Sequence, residues 1–202
     1  MKITEAIFAG SSTKVQEKPK ERLPEFAFIG RSNVGKSSLI NKLCNSRHLA
    51  KTSSAPGKTK LVNHFRINQK WYLVDLPGYG YAKLSAKERE KLEDIIRGYL
   101  NHSEELEHLF VLIDSRHDVQ KADLSFITEL SGSDIPFSVI FTKGDKLGPV
   151  AREKQLLKNK TQIDALCETS PSYFASSSET GLGKEEILDF IDTLLKTPDK
   201  NA

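Results

Sequence analysis

The 202-residue sequence is poor in sulfur, with two cysteines, Cys44 and Cys167, and a single methionine. Two cysteines so far apart exclude a disulfide framework and a cysteine-built zinc site, and both sit in helical patterns that read as buried free thiols. Long apolar runs are missing too. None approaches the roughly 20 residues needed to span a bilayer, and MKITEAIFAG lacks the apolar core of a leader, so no stable membrane insertion and a cytoplasmic location are expected. Charge of one sign is equally scarce: 30 Lys and Arg against 27 Asp and Glu leave a formal +3. That falls short of a dedicated nucleic-acid clamp, so no DNA partner is expected and any polyanion contact must come from local clusters. The length suits one core in one domain, here expected to be monomeric.

What is present is a rhythm of near-continuous apolar runs: FAFIG (26–30), WYLVDL (71–76), HLFVLID (108–114) and PFSVIFTK (136–143). Such runs read as strands buried on both faces, with NHFRIN (63–68) and SYFASS (172–177) as weaker candidates. Helical spacing fills the gaps at 36–45, 85–101, 121–131, 150–167 and 184–195. Strand and helix in alternation imply an α/β fold: six strands, mainly parallel, with helices on both faces. NHFRINQKWYLVDL leaves no room for a crossover, which predicts a hairpin and one antiparallel strand at the edge. Residues 1–22 are expected to form a flexible basic arm, 23–197 the single domain, and 198–202 a disordered tail.

GRSNVGKS combines Gly, four residues, Gly, Lys and Ser between a predicted strand and a predicted helix. Gly30 and Gly35 let the backbone wrap a phosphate with amides pointing inward, and the helix N-terminus adds positive potential. The candidate ligands are Gly30, Arg31, Ser32, Asn33, Val34, Gly35, Lys36, Ser37 and Ser38, with Lys36 reaching the β- and γ-phosphates and the Ser37 hydroxyl offered to Mg2+. This is the grip of a nucleotide's phosphate chain.

The base is read from TKGD, Thr142, Lys143, Gly144 and Asp145, at the end of a buried strand. A carboxylate at position 145 can accept from guanine's ring N–H and exocyclic amine, a donor pair that adenine lacks. Lys143 would lie along the ring and Thr142 would tie the loop. FASSSETGLG is expected to bring Ser176, Ser177 and Ser178 to the base, or to cap the following helix, or both.

DLPGYGYA follows another strand end. Asp75 is the candidate Mg2+ partner through water, Gly78 the amide for the γ-phosphate, with Leu76 and Pro77 between them; a plain turn is the alternative. In SSAPGKTKLVNHF, Gly57, Lys58, Thr59, Lys60 and Leu61 form a candidate switch loop, Thr59 supplying a second Mg2+ hydroxyl or serving as a surface residue. Lys36, Thr59 and Gly78 would stabilise the γ-phosphate, and no general base is identified. Where many GTPases place a water-orienting glutamine, this sequence has Tyr79, which predicts slow turnover unless a partner or a captured cation helps. Asn33 suits either a K+ ligand or a loop brace.

With all these elements in order, the chain resembles the small bacterial ribosome-biogenesis GTPases called EngB, also YihA or YsxC, within the TrmE-Era-EngA-like group. GRSNVGKSSLIN, PGKTKLVNHF, DLPGYGYA, DSRHDVQKAD and TKGDK carry the resemblance, which spans about 23–195. It implies a P-loop NTPase G domain, GTP and GDP as ligands with Mg2+, and a role in assembling the large ribosomal subunit. Lys58, Lys60 and Gly144 depart from the residues frequent in that family without removing a ligand group.

A partner would have to touch the nucleotide domain itself. Lys51, Lys58, Lys60, Lys83, Lys87 and Arg89 cluster around the two switch segments, and Lys14, Lys18, Lys20 and Arg22 mark the arm. These are either solvated charges or a face for ribosomal RNA of the large-subunit precursor. A phosphoryl-transferring kinase and a nucleotide-stabilised module linked to cell division and septation are the competing functions.

Overall fold

A computed structural model describes residues 1–51, 60–80 and 84–197. Seven strands form one sheet: β1 (Ala6–Ser12), β2 (Glu25–Gly30), β3 (Val62–Ile67), β4 (Trp71–Asp75), β5 (Leu106–Asp114), β6 (Phe137–Thr142) and β7 (Ser172–Ala175). Five helices connect or flank them: α1 (Lys36–Leu43), α2 (Ala86–His102), α3 (Lys121–Ser131), α4 (Pro149–Asp164) and α5 (Lys184–Lys196). The order across the sheet is β1-β3-β4-β2-β5-β6-β7. Pairs from β4 through β7 are parallel, whereas β3 runs antiparallel to both β1 and β4.

The apolar runs become central strands because both faces are covered. In β2 the side chains alternate: Phe26 and Phe28 pack with Leu39, Ile40 and Ile187 on the α1 and α5 side, Ala27 and Ile29 with Ile96, Val111 and Ile127 on the other. Helix starts follow local chemistry. Ser85 and Glu88 form a reciprocal capping box on α2, and Pro149 opens α4, where its missing N–H costs nothing.

Four sequence expectations need correction. The sheet has seven strands rather than six, and the antiparallel strand lies one place in from the edge. The added strand is β1, which falls within the expected arm; it satisfies the outer hydrogen-bonding row of β3 and sets Phe8 against Phe65, ring centroids 5.9 Å apart. The arm is otherwise fastened as well: Ile3 is buried in the core, and the Lys18 ammonium reaches Glu25, Glu105 and the Ser103 hydroxyl. Cys44 is buried at the end of α1, where burial pushes its thiol up to about 12, but Cys167 lies beyond α4 and is only half-buried. The expected tail, 198–202, lies outside the described residues.

Candidate functional site

The glycine-rich loop joins β2 to α1. At Gly30 a Cβ would stand 2.8 Å from the Leu112 carbonyl oxygen of β5, so any side chain would push the central strands apart. Gly35, with φ 103°, caps α1 in the left-handed region, and Leu39 N–H closes the first turn onto its carbonyl. Between them Val34 is buried, Arg31 and Ser32 are half-buried, and Asn33 is exposed with φ 64°. Lys36 is buried and makes an ion pair with the buried Asp75 carboxylate at the end of β4. Ser37 and Ser38 are half-buried on the first turn of α1.

The loop after β6 is fastened directly to the glycine-rich loop. Thr142 Oγ1 donates to the Val34 carbonyl at 2.6 Å, and Lys143 Nζ donates to the Asn33 carbonyl at 2.8 Å and to Asp114 Oδ2 at 2.9 Å. Two segments more than a hundred residues apart thus form one rigid surface. Gly144 N–H donates to the Ser176 carbonyl at 2.9 Å, which ties in the loop after β7. Asp145 accepts from Ser177 Oγ at 2.6 Å and pairs with Lys146 at 3.0 Å; the hydroxyl first and the ammonium second hold its carboxyl below the ordinary aspartate value. Ser177 Oγ in turn accepts from the N–H groups of Glu179 and Thr180, and Ser178 is half-buried beside it. The serines do not cap α5. That position belongs to Gly183, φ 73°, where a Cβ would fall 1.9 Å from the Ala175 carbonyl oxygen.

From Asp75 to Tyr79 the chain is buried throughout, including Leu76, Pro77 and Gly78. Tyr79 turns inward: its ring stacks on Phe126 and its hydroxyl donates to Asp123 Oδ1 at 2.8 Å. Burial, with the Asp123 carboxylate beside it, pushes the phenol well above its ordinary value, and burial likewise raises Asp123. Lys60 is exposed and 3.4 Å from Glu88, and Leu61 is exposed beside it. Gly57, Lys58, Thr59 and Lys83 lie outside the described residues.

Two residues escaped sequence reasoning. Asp114, ending β5, is gripped by Arg116 and Lys143; burial alone would raise its carboxyl, but those hydrogen bonds outweigh it and hold it well below the usual range. An acid ending a buried strand, as Asp75 does, was the available signal. Asp123 offered no such cue, because its partner is set by the packing of α3.

The glycine-rich loop, the Asp75 segment, the loop after β6 and the loop after β7 all meet at the carboxyl ends of parallel strands, where ligands of open α/β sheets sit. This fold and this set of loops define a GTP-binding domain of the P-loop class. Residues 25–143 match the family model described as "50S ribosome-binding GTPase". A protein of Porphyromonas gingivalis, named "Probable GTP-binding protein EngB", is 53% identical over 96% of both chains. One of the same name from Bacteroides thetaiotaomicron is 50% identical over the full length of both. Among solved structures, a probable GTP-binding protein engB superposes with TM-score 0.62 at 22% identity, covering 85% of this chain and 98% of that one. Era in complex with MgGDPNP and part of 16S ribosomal RNA superposes with TM-score 0.69 at 20% identity, covering 88% of this chain and 58% of that one. The chain belongs to the EngB family of GTP-binding proteins, and it is a GTPase. No helix among the described residues is long and apolar enough to cross a membrane.

Proposed function

We propose that this GTPase acts as a slow GTP-driven switch that monitors assembly of the large ribosomal subunit. The observation that supports the nucleotide half is the hydrogen-bonded union of two loops, Thr142 to Val34 and Lys143 to Asn33, which joins the loop carrying Asp145 to the glycine-rich loop. In this reading the Asp145 carboxylate accepts the two guanine donors, Ser177 orients it, and Ser176 and Ser178 complete the base pocket. Lys36 leaves Asp75 for the β- and γ-phosphates, the amides from Gly30 to Ser38 surround them, and the Gly78 N–H meets the γ-phosphate.

The residues also fit Mg2+. The Ser37 hydroxyl and the Asp75 carboxylate are hard oxygen donors flanking Lys36, and few protein ligands suit an ion that keeps its waters and shares the phosphates. When bound, Mg2+ supplies neutralisation of the charge that develops between the β- and γ-phosphates. Thr59 is assigned to the same ion. Asn33 is assigned as a K+ ligand, its carbonyl already braced by Lys143.

Slow turnover follows from Tyr79. Its hydroxyl is buried against Asp123, so it neither orients nor deprotonates an attacking water, and a partner or a captured monovalent cation supplies that help.

The ribosomal half rests on the description of the matched family and on the basic face. Lys51, Lys60, Lys87 and Arg89 are exposed near the switch segments, and Lys58 and Lys83 belong to those segments in sequence. The expected arm contributes less than its composition suggests, since Lys18 is half-buried and held in ion pairs and Arg22 pairs with Glu104 and Glu105. The test is binding to large-subunit precursor particles in the GTP and GDP states across a salt series. Tighter binding with GTP, and a log–log salt slope of roughly −4 to −5 that Lys87→Glu with Arg89→Glu flattens, is expected. Equal affinity in both nucleotide states would remove the switch.

A further inference from the structure

The segment that follows β4 is fastened at both ends. Leu76 N–H donates to the Phe28 carbonyl at 3.0 Å, and three residues on, Tyr79 forms a parallel bridge with Arg31 of the glycine-rich loop. The Tyr79 ring lies on Phe126 with centroids 4.6 Å apart and planes 23° from parallel. Its hydroxyl donates to Asp123 Oδ1, while Asp123 Oδ2 accepts the Gln120 N–H at 3.2 Å. Both carboxylate oxygens are thereby engaged, and the 2% exposed side chain has no freedom to turn. Beyond Tyr79 the packing stays close: at Gly80, φ 71°, a Cβ would meet Ala122 at 3.2 Å and Arg31 Nε at 3.4 Å. Only Pro77 and Gly78 span the interval between the anchors, and proline fixes its own φ.

We infer that Asp123 is a positioning residue for the γ-phosphate: through Tyr79 and Phe126 it holds Gly78 in place, and so strengthens the binding of GTP relative to that of GDP. The inference rests on the Gly78 contact proposed above. A donor already held where charge must be met needs no ordering when the ligand arrives. Released from its far anchor, the same segment would have to be ordered by the γ-phosphate, at the expense of GTP affinity alone, because GDP does not extend to Gly78. The clamp also explains why a tyrosine can follow Gly78 in a GTPase. Its task lies in the protein interior rather than at the attacking water.

The test compares dissociation constants for GDP and for a slowly hydrolysed GTP analogue with Mg2+, by calorimetry, in the full chain and its Y79F, D123A, D123N and G78P variants, alongside melting temperatures. Y79F and D123A should weaken the analogue by roughly 3- to 10-fold while GDP affinity stays within about twofold, the range expected for one hydrogen bond. D123N keeps an oxygen acceptor for only one of the two donors, the Tyr79 hydroxyl or the Gln120 N–H, and should shift the ratio less than D123A. If Y79F and D123A lower the melting temperature but leave the ratio of the two affinities unchanged, the clamp is structural and the inference falls. G78P, which alone of these variants removes the N–H at position 78, separates the two ideas: loss of the ratio in G78P but not in Y79F or D123A refutes the clamp alone, whereas an unchanged ratio in G78P removes the Gly78 contact itself and the clamp with it.

Discussion

Two carboxylates at opposite ends of the same sheet show how buried or half-buried charge can serve different ends. Glu25, at the amino end of β2, is 2% exposed and accepts from the Tyr99 hydroxyl at 2.6 Å, the Ser103 hydroxyl at 2.6 Å and the Lys18 ammonium at 3.0 Å, with His64 Nε2 3.4 Å away. Burial alone would raise its carboxyl, yet His64, Ser103 and Tyr99 together bring it down to about 2. Asp145, beyond the carboxyl end of β6, takes the Ser177 hydroxyl and the exposed Lys146 ammonium as side-chain partners among the described residues. Glu25 is saturated by fixed donors from separate elements and acts as a rivet. Asp145 is oriented by one hydroxyl and left able to exchange its ammonium partner for another donor pair. Saturation, more than burial, separates the structural carboxylate from the one available to a ligand.

The sharpest way to break this comparison is to neutralise each end. Asp145→Asn should lower GTP affinity by about 100-fold or more and turn preference towards xanthosine triphosphate, because the amide presents a donor where guanine also donates. Calorimetry with the two triphosphates measures it, and an unchanged preference for guanosine would dismiss the assignment. Glu25→Ala should do the reverse, leaving nucleotide affinity alone while costing about 3 kcal/mol of stability, since Lys18, Tyr99 and Ser103 lose their common partner. In a chain of this size that is a melting decrease of about 6–12 °C.

A smaller effect sharpens the comparison through pH. His108, buried on β5 with Nε2 2.8 Å from Ser138 Oγ, has its pKa lowered by burial from 6.5 to about 4. Above 6.5 the ring is neutral folded or unfolded; as pH falls towards 4 only the unfolded chain takes the proton, so stability is lost through that window. Between pH 7 and pH 5 the loss should be about 2 kcal/mol, and His108→Gln should remove that slope in urea denaturation. A slope that persists in the variant would assign the acid sensitivity to other groups.

The strands were legible because an unbroken apolar run such as FAFIG suits only a segment covered on both faces, and α3 was bounded correctly at Lys121–Ser131 by its spacing. The glycine-rich loop and the TKGD loop were equally legible as turns at strand ends, since glycines at such spacing state a backbone requirement that is local. β1 was missed because AIFAGSS carries little apolar alternation; what recruits it is the unpaired row of β3, more than fifty residues away. The arm misled by composition, as Lys18 looks like a solvated charge until Glu25 and Glu105 are folded against it.

Local chemistry in the chain therefore determined the glycine-rich turn after β2, the acid that follows β6, and which segments must be covered. Packing alone decided that Tyr79 turns to Asp123, that Asp114 captures Lys143, and that the first strand closes the sheet. Backbone conformation is set by neighbours a few residues away, whereas a buried polar side chain takes whichever partner the assembled elements bring within about 3 Å.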